Sequence, residues 1–390
     1  MLNKLRNFNW IMFVAMLALI ATGTVAIWSS GNARAETIFH GMWKANLTTA
    51  IFGLAIYLAL AFTDYRKILY WASIPSYAVS LVLLVVVLLV GSKVYGGRRW
   101  LWFFQPSEIS KLCIICFLAH LFGGEPRRTL KWFLAGCAIV AVPIGLILLE
   151  PDLGTALTLI PATLLMLFVA RVWRRGLVTL LAIGFAAAFA VLGAVYEAEK
   201  PGVTESRREA ILRMVPLKSH QISRVKVFLF PEQDLTGAGY TLRQAKISIG
   251  SGGFSGKGIG KGETNHLKYL PQSISMNDFI FCVYAEETGF VGALLLLAMF
   301  GALLVPGAWT AIVSTDGSGR LVALGVSMLI FAHVWINIAM SIGLVPITGL
   351  PLPFISSGRT FLVTVMAGLG LIQSVAIHGR EKQNELVRMA

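Results

Sequence analysis

The chain has 390 residues, 56% of them hydrophobic and only 13% charged, with a mean hydropathy of +0.75. A water-soluble domain carries roughly a quarter charged residues, so these proportions exclude one and point to a polytopic membrane protein. The formal net charge of +14 suggests nucleic acid at first sight, but basic residues concentrated at one set of helix ends follow from membrane topology alone, and no nucleic-acid partner is expected.

Apolar runs near or above the length that crosses a bilayer fall at 11–29, 46–62, 68–90, 108–122, 131–149, 155–171, 177–195, 278–305, 321–345 and 360–377. They predict a single all-α membrane domain, 1–390, of about ten transmembrane helices. Lys4 and Arg6 before the first run, and Ala33-Arg34-Ala35 after it, imitate a signal peptide. The apolar run is longer than a usual signal core, so a retained first helix is expected. With the N-terminus inside, cytoplasmic segments hold fourteen Lys or Arg, among them Lys4, Arg66, Arg128, Arg171, Arg174, Arg175, Arg320, Arg380, Lys382 and Arg388, against six in the short segments opposite. That bias puts both termini in the cytoplasm and turns the long segment 197–276, between helices 7 and 8, outward.

Charges inside or at the ends of these runs narrow the search. Glu108 and Lys111 are three residues apart on the short fourth run, so they share a helix face and can pair, which lowers the cost of both charges in a membrane. Asp152, in Glu150-Pro-Asp-Leu-Gly-Thr155, opens the sixth run, where an acid also suits the helix dipole. The four cysteines lie inside runs. Cys113-x-x-Cys116 has no second pair and no H-E-x-x-H occurs, so a transition-metal site is not expected.

The outward loop carries twelve Lys or Arg against seven acids. Such a surface attracts an anionic headgroup such as a pyrophosphate, or is a solvated basic face. From Ser206 to Phe230, apolar residues recur at near-helical spacing among basic ones (Ile211, Val215, Ile222, Val225, Phe228), which predicts a helix lying on the outer interface. Next comes Gly250-Ser-Gly-Gly-Phe-Ser-Gly-Lys-Gly-Ile-Gly-Lys-Gly262. Its backbone can approach a ligand closely, but it fits no dinucleotide or P-loop pattern. It reads as a flexible lid, as an anion cradle helped by Lys257 and Lys261, or as an inert loop.

Asp278 sits where this loop meets the eighth run. An acid at the edge of hydrocarbon is costly and marks a reaction or ion site. Glu286 and Glu287, two turns on, suit helix packing. The segment Pro346–Gly358, with three prolines and two glycines, forbids regular helix, and irregular backbone at membrane depth lines a cavity or is buried in protein. Glu108, Asp152, Asp278 and this segment share the outer depth, which suggests one extracytoplasmic cavity.

Several motifs, in order, span nearly the whole chain. They are Gly97-Arg-Arg-Trp100 with Phe104-Gln-Pro-Ser-Glu-Ile-Ser-Lys111, Pro151-Asp-Leu-Gly-Thr155, Gly237-Ala-Gly-Tyr240 with Ile249-Gly-Ser-Gly-Gly253, Leu270-Pro271, Asp278-Phe-Ile-Phe281, Glu286-Glu287 and Gly349-Leu-Pro-Leu-Pro-Phe354. As a set they resemble the SEDS family (shape, elongation, division and sporulation). Gly256-Lys-Gly258, Gly262-Glu-Thr264 and Gln244-Ala-Lys246 look more like its rod-shape branch, RodA, than its division branch, FtsW. The resemblance implies a peptidoglycan glycosyltransferase that polymerises lipid II into glycan strands at the outer face of the cytoplasmic membrane during cell elongation. Its partners would be a class B penicillin-binding protein and other elongation-complex membrane proteins. It places Asp278 at the catalytic acid position, acting as general base, and Glu108, Lys111 and Asp152 in a central cavity where they hold substrate, a divalent cation or one another. Departure of the pyrophosphate would be eased by Lys or Arg, or by a Mg²⁺ or Mn²⁺ ion with oxygen ligands.

The chain departs from the family pattern at Gln272, at Met276-Asn277 and at Ser356-Ser-Gly-Arg-Thr360, where Arg359 sets a cation beside the cavity. These differences bear on acceptor or stem-peptide preference and leave Asp278 in place. Intramembrane charges and broken helices would also suit a lipid II flippase, but no inverted repeat is evident. A non-enzymatic scaffold for the penicillin-binding protein is the third possibility.

Overall fold

Every one of the ten apolar runs is a helix, because a chain in hydrocarbon must satisfy its backbone hydrogen bonds internally. The computed structural model describes residues 5–32, 41–94, 97–102, 104–124, 127, 129–150, 152–200, 202–234, 236–266 and 272–389. The spans are α1 (Trp10–Asn32), α2 (Met42–Phe62), α3 (Tyr65–Val90), α4 (Pro106–Phe122), α5 (Leu130–Leu149), α6 (Leu153–Val169), α7 (Arg174–Ala198), then, beyond the long loop, α13 (Ile280–Val313), α14 (Gly317–Ser341) and α15 (Arg359–Met389). Eight of these are long and apolar enough to cross a membrane. The other two, α4 and α6, have 17 residues each, about 26 Å, short of a full hydrocarbon core. Both pack against α14; α4 is mostly buried in protein, while α6 keeps one apolar edge, with Leu157, Ile160 and Phe168, exposed.

Two features were not anticipated. Between α3 and α4 the chain forms an antiparallel hairpin, β1 (Ser92–Val94) with β2 (Gly97–Trp100), the one small sheet among the described residues. The long loop between α7 and α13 holds two helices, α8 (Glu205–Met214) and α9 (Ser219–Leu229), in place of one continuous helix. Pro216 lies in the break: it has no N–H to donate, and it disfavours helix at the residue before it. A short 3₁₀ turn (Pro231–Gln233), α10 (Ala238–Ser251) and the single-turn helices α11 (Glu263–His266) and α12 (Gln272–Ser275) complete the loop.

The glycine-rich run between α10 and α11 is folded rather than a free lid. Lys257 N–H donates to the Glu286 carbonyl at 3.0 Å, Gly258 N–H to the Glu287 carbonyl at 2.9 Å, and Phe290 N–H to the Gly253 carbonyl at 2.9 Å. α13 is broken to receive it, with Gly289 at φ 68°; a Cβ there would lie 2.3 Å from the Gly256 nitrogen. Glu286 and Glu287 therefore stand on a short helical segment set off from the long lipid-facing part of α13.

Lys4, Arg34, Arg128, Pro151, Lys268 and Leu270-Pro271 lie outside the described residues, as do the side chains of Gln272, Arg380, Lys382 and Arg388.

Candidate active site

Asp278 occupies the turn between α12 and α13, and the irregular segment 346–358 clamps it from the other side. The Asn337 amide on α14, fully buried, donates to the Asp278 carbonyl at 2.9 Å and to the Leu350 carbonyl at 2.6 Å. Ser356 Oγ donates to the Asn277 carbonyl at 2.6 Å while accepting from Leu352 N–H at 2.8 Å, and Ser357 Oγ donates to Asn277 Oδ1 at 2.5 Å. Gly349 has φ 73°, and a Cβ there would sit 3.3 Å from Asp278 Oδ2, so glycine lets the backbone approach the carboxyl. The irregular backbone is thus largely enclosed in protein, and the Leu350 carbonyl and the Leu352, Ser356 and Ser357 N–H groups have partners there.

Asp278 is partly exposed but enclosed enough that burial pushes its carboxyl up to about 6; Arg224 and Arg99 pull it down and Asp152 pushes it up. Arg224, on α9, is anchored by donation to the Thr348 carbonyl at 3.0 Å. Arg99, on β2, donates through Nε to the Glu150 carbonyl at 3.1 Å. Asp152 is the N-cap of α6: it accepts from Thr155 N–H at 3.2 Å, Thr155 Oγ1 at 2.9 Å and Gln105 Nε2 at 3.0 Å. Glu150 is fully buried and its two carboxyl oxygens have no hydrogen-bond partner among the described residues. Burial, then Asp152, push it up to about 8 against the pull of Arg99, which favours a neutral acid at pH 7. Two carboxylates, Asp278 and Asp152, then stand against two guanidiniums.

Next to this group, Lys111 Nζ lies 2.7 Å from Glu108 Oε2 and 2.9 Å from His333 Nε2, and 5.2 Å from the centre of the Phe361 ring. The pair that the spacing suggested is formed, and it is buried. His333 stands one helical turn before Asn337, so α14 carries both the Lys111 partner and the Asp278 clamp.

The glycine-run lysines are not brought to Asp278. Lys257 Nζ is held by Glu286 at 2.9 Å and Glu263 at 3.3 Å. Glu286 also accepts from Glu263 N–H at 3.0 Å and Ser248 Oγ at 3.2 Å, while Ser29 bonds the Glu287 carboxylate. Lys261 is exposed, and so is Arg359, the first residue of α15. Ser356 belongs to the latch on Asn277. Four residues that sequence reasoning did not single out are Arg99, Arg224, Asn337 and Glu150. Arg99 was visible in the Gly-Arg-Arg-Trp motif and Glu150 beside Asp152, whereas Arg224 was one of twelve loop cations and Asn337 one polar residue in an apolar run. Among the described residues no three Asp, Glu, His or Cys side chains gather as metal ligands.

The chain matches the cell cycle protein family FtsW/RodA/SpoVE over residues 9–381. It is 34% identical over 373 residues to the peptidoglycan glycosyltransferase MrdB of Escherichia coli K12, covering 94% of this chain and 93% of that one. It is 32% identical over 385 residues to the "Probable peptidoglycan glycosyltransferase FtsW" of Trichlorobacter lovleyi, covering 96% and 94%. A solved structure described as "Structural coordination of polymerization and crosslinking by a peptidoglycan synthase complex" is similar with a TM-score of 0.72 at 29% identity, covering 95% of this chain and 97% of that one.

Proposed function

The chain belongs to the FtsW/RodA/SpoVE family, the SEDS family of the motif resemblance, and on that footing we propose that it is a peptidoglycan glycosyltransferase that polymerises lipid II with Asp278 as general base. The observation that carries the role of Asp278 is its setting: its backbone carbonyl is held by Asn337 and its carboxyl faces Gly349, with two guanidiniums close enough to act on its charge. As the 4-hydroxyl oxygen of one sugar bonds to the anomeric carbon of another, Asp278 takes the hydroxyl proton. The bond from that carbon to the undecaprenyl pyrophosphate breaks with inversion, and the electron pair leaves on the pyrophosphate. A base with a pKa near 6 is mostly ionised at neutral pH and still accepts a proton readily. Fixed cations beside it, here Arg224 and Arg99, stabilise the charge that develops on the leaving group.

The remaining site residues take supporting parts in this proposal. Glu108 and Lys111, with His333, form a rigid polar wall; Asp152 holds the start of α6 and, through Gln105, the approach to α4. Ser356 latches the base loop, and exposed Arg359 and Lys261 add positive potential toward an anionic headgroup. Lys257 fastens the glycine-rich run through Glu286. A Mg²⁺ or Mn²⁺ ion would enter on the pyrophosphate, since the described side chains offer no group of three ligands. The charge bias supports a cytoplasmic membrane location with both termini inside and Asp278 facing outward. The rod-branch motifs support a role in elongation with a class B penicillin-binding protein.

Purified protein, assayed in detergent with lipid II and its penicillin-binding partner, separates the alternatives. Detergent leaves no bilayer to flip across, so glycan product that depends on Asp278 identifies a polymerase. Product that persists in Asp278→Asn removes Asp278 from the mechanism, and product that persists when this chain is omitted assigns the synthesis to its partner.

A further inference from the structure

The end of the bundle opposite Asp278 carries a recess that the glycosyltransferase chemistry does not use. α6 starts at the Asp152 cap, and its far end is 17 residues away, about 26 Å. There Arg171 turns the chain with φ 55°, a left-handed conformation that costs a non-glycine residue about 1–2 kcal/mol, and Val172 is buried beneath it. A recess of about 340 Å³ is lined by Arg171, Val172, Trp173, Arg174 and Arg175. A second, of about 220 Å³, shares Arg171 and adds Arg320.

None of these four arginines makes an ion pair among the described residues. Among the described residues the Arg320 side chain donates to the Ser314 carbonyl, at 2.9 Å. The acid on the same helix end, Asp316, is committed to Tyr65 Oη at 2.8 Å and Gly319 N–H at 3.1 Å. The recess also opens at the lipid edge. Arg174 lies over Phe168, Trp173 is partly exposed, and the α7 face beyond it, Val178, Leu181 and Phe185, is exposed; only 6% of the apolar window of α7 is buried by protein. Concentrated cations above an uncovered apolar strip match a ligand that is anionic at one end and aliphatic at the other.

We propose that this recess binds the phosphodiester headgroup of an anionic phospholipid, with its acyl chains along α7. An acidic peptide would satisfy the arginines but not the strip, and cations placed only by topology need no recess. That the leaflet is the inner one rests on the orientation given above; the binding test is independent of polymerase activity, so its failure is distinguishable from failure of that reading.

The test uses the full chain in nanodiscs of phosphatidylcholine with a minority of phosphatidylglycerol, with retained lipid counted by native mass spectrometry after mild delipidation. Wild type is expected to retain phosphatidylglycerol selectively. Arg174→Gln/Arg175→Gln, which leaves the left-handed turn intact, and the triple variant adding Arg171→Gln are expected to lose it by about ten-fold or more. Arg66→Gln/Lys67→Gln, cations at the same end outside the recess, should retain it. Equal loss in that control reduces the effect to general surface attraction and overturns the site. So does absence of selectivity in the wild type, or complete displacement of the lipid by inorganic phosphate, which would make the recess a phosphate site. Melting temperatures of the variants within a few degrees of wild type show that lost retention is not lost folding.

Discussion

Breaking the Glu108–Lys111 pair should be costly in an asymmetric way that the geometry specifies. The two side chains are 1% and 4% exposed with 2.7 Å between their charged atoms, and Lys111 has a second partner in His333. Lys111→Met leaves Glu108 without its counter-ion and His333 Nε2 without its contact, a loss of about 3–5 kcal/mol for an uncompensated buried charge; uptake of a proton by the carboxyl limits how far the cost can rise. Glu108→Gln keeps an amide carbonyl as acceptor and leaves the ammonium on His333, so the loss should be nearer 1–3 kcal/mol. The double variant Glu108→Gln/Lys111→Met removes both charges and should cost less than the sum of the singles by at least about 1 kcal/mol. Denaturant unfolding in detergent micelles, followed by tryptophan fluorescence, gives the three values. Additivity within about 0.5 kcal/mol, or a Glu108→Gln loss equal to that of Lys111→Met, would refute the reasoning.

Other consequences follow from single contacts. The polymerisation rate should fall as pH drops through about 6, where Asp278 takes up its proton. Arg224→Gln removes a cation that favours the ionised form, so it should move this limb to higher pH; a limb that stays or moves down contradicts the placement of Arg224. Asn337→Leu removes the clamp on the Asp278 and Leu350 carbonyls and should lower turnover by about ten-fold or more while lipid II affinity changes little, as a kcat and KM comparison would show. Gly289→Ala forces a Cβ to within 2.3 Å of the Gly256 nitrogen at a positive φ, at a cost of about 1–3 kcal/mol. It should loosen the glycine-rich run, seen as faster tryptic cleavage at Lys257 and Lys261; unchanged cleavage argues against the docked arrangement.

How legible each part was depends on the range of the interaction behind it. The ten spans follow from hydropathy over about twenty residues, and each run became a helix. Glu108 and Lys111 were readable as a pair because three residues on a helix put them on one face, but their partner His333 is 222 residues from Lys111 and nothing local announces it. Strands of three and four residues in a connector carry too little alternation to reveal the hairpin that presents Arg99. The loop lysines drew attention because glycines surround them. Yet the cations that act on Asp278 come from β2 and α9, placed by how the loop folds back over α14 and the proline-rich segment. Pro216 did carry a readable signal for the break between α8 and α9, which the regular apolar spacing on either side obscured.

The central claim, that Asp278 is the base of a lipid II polymerase, is tested most directly by single-turnover glycan synthesis with purified Asp278→Asn and its penicillin-binding partner. Asparagine keeps the size and the backbone clamp but cannot accept the proton. We expect normal folding and partner binding with polymer formation lost; retention of more than about a tenth of wild-type turnover would remove Asp278 from the mechanism.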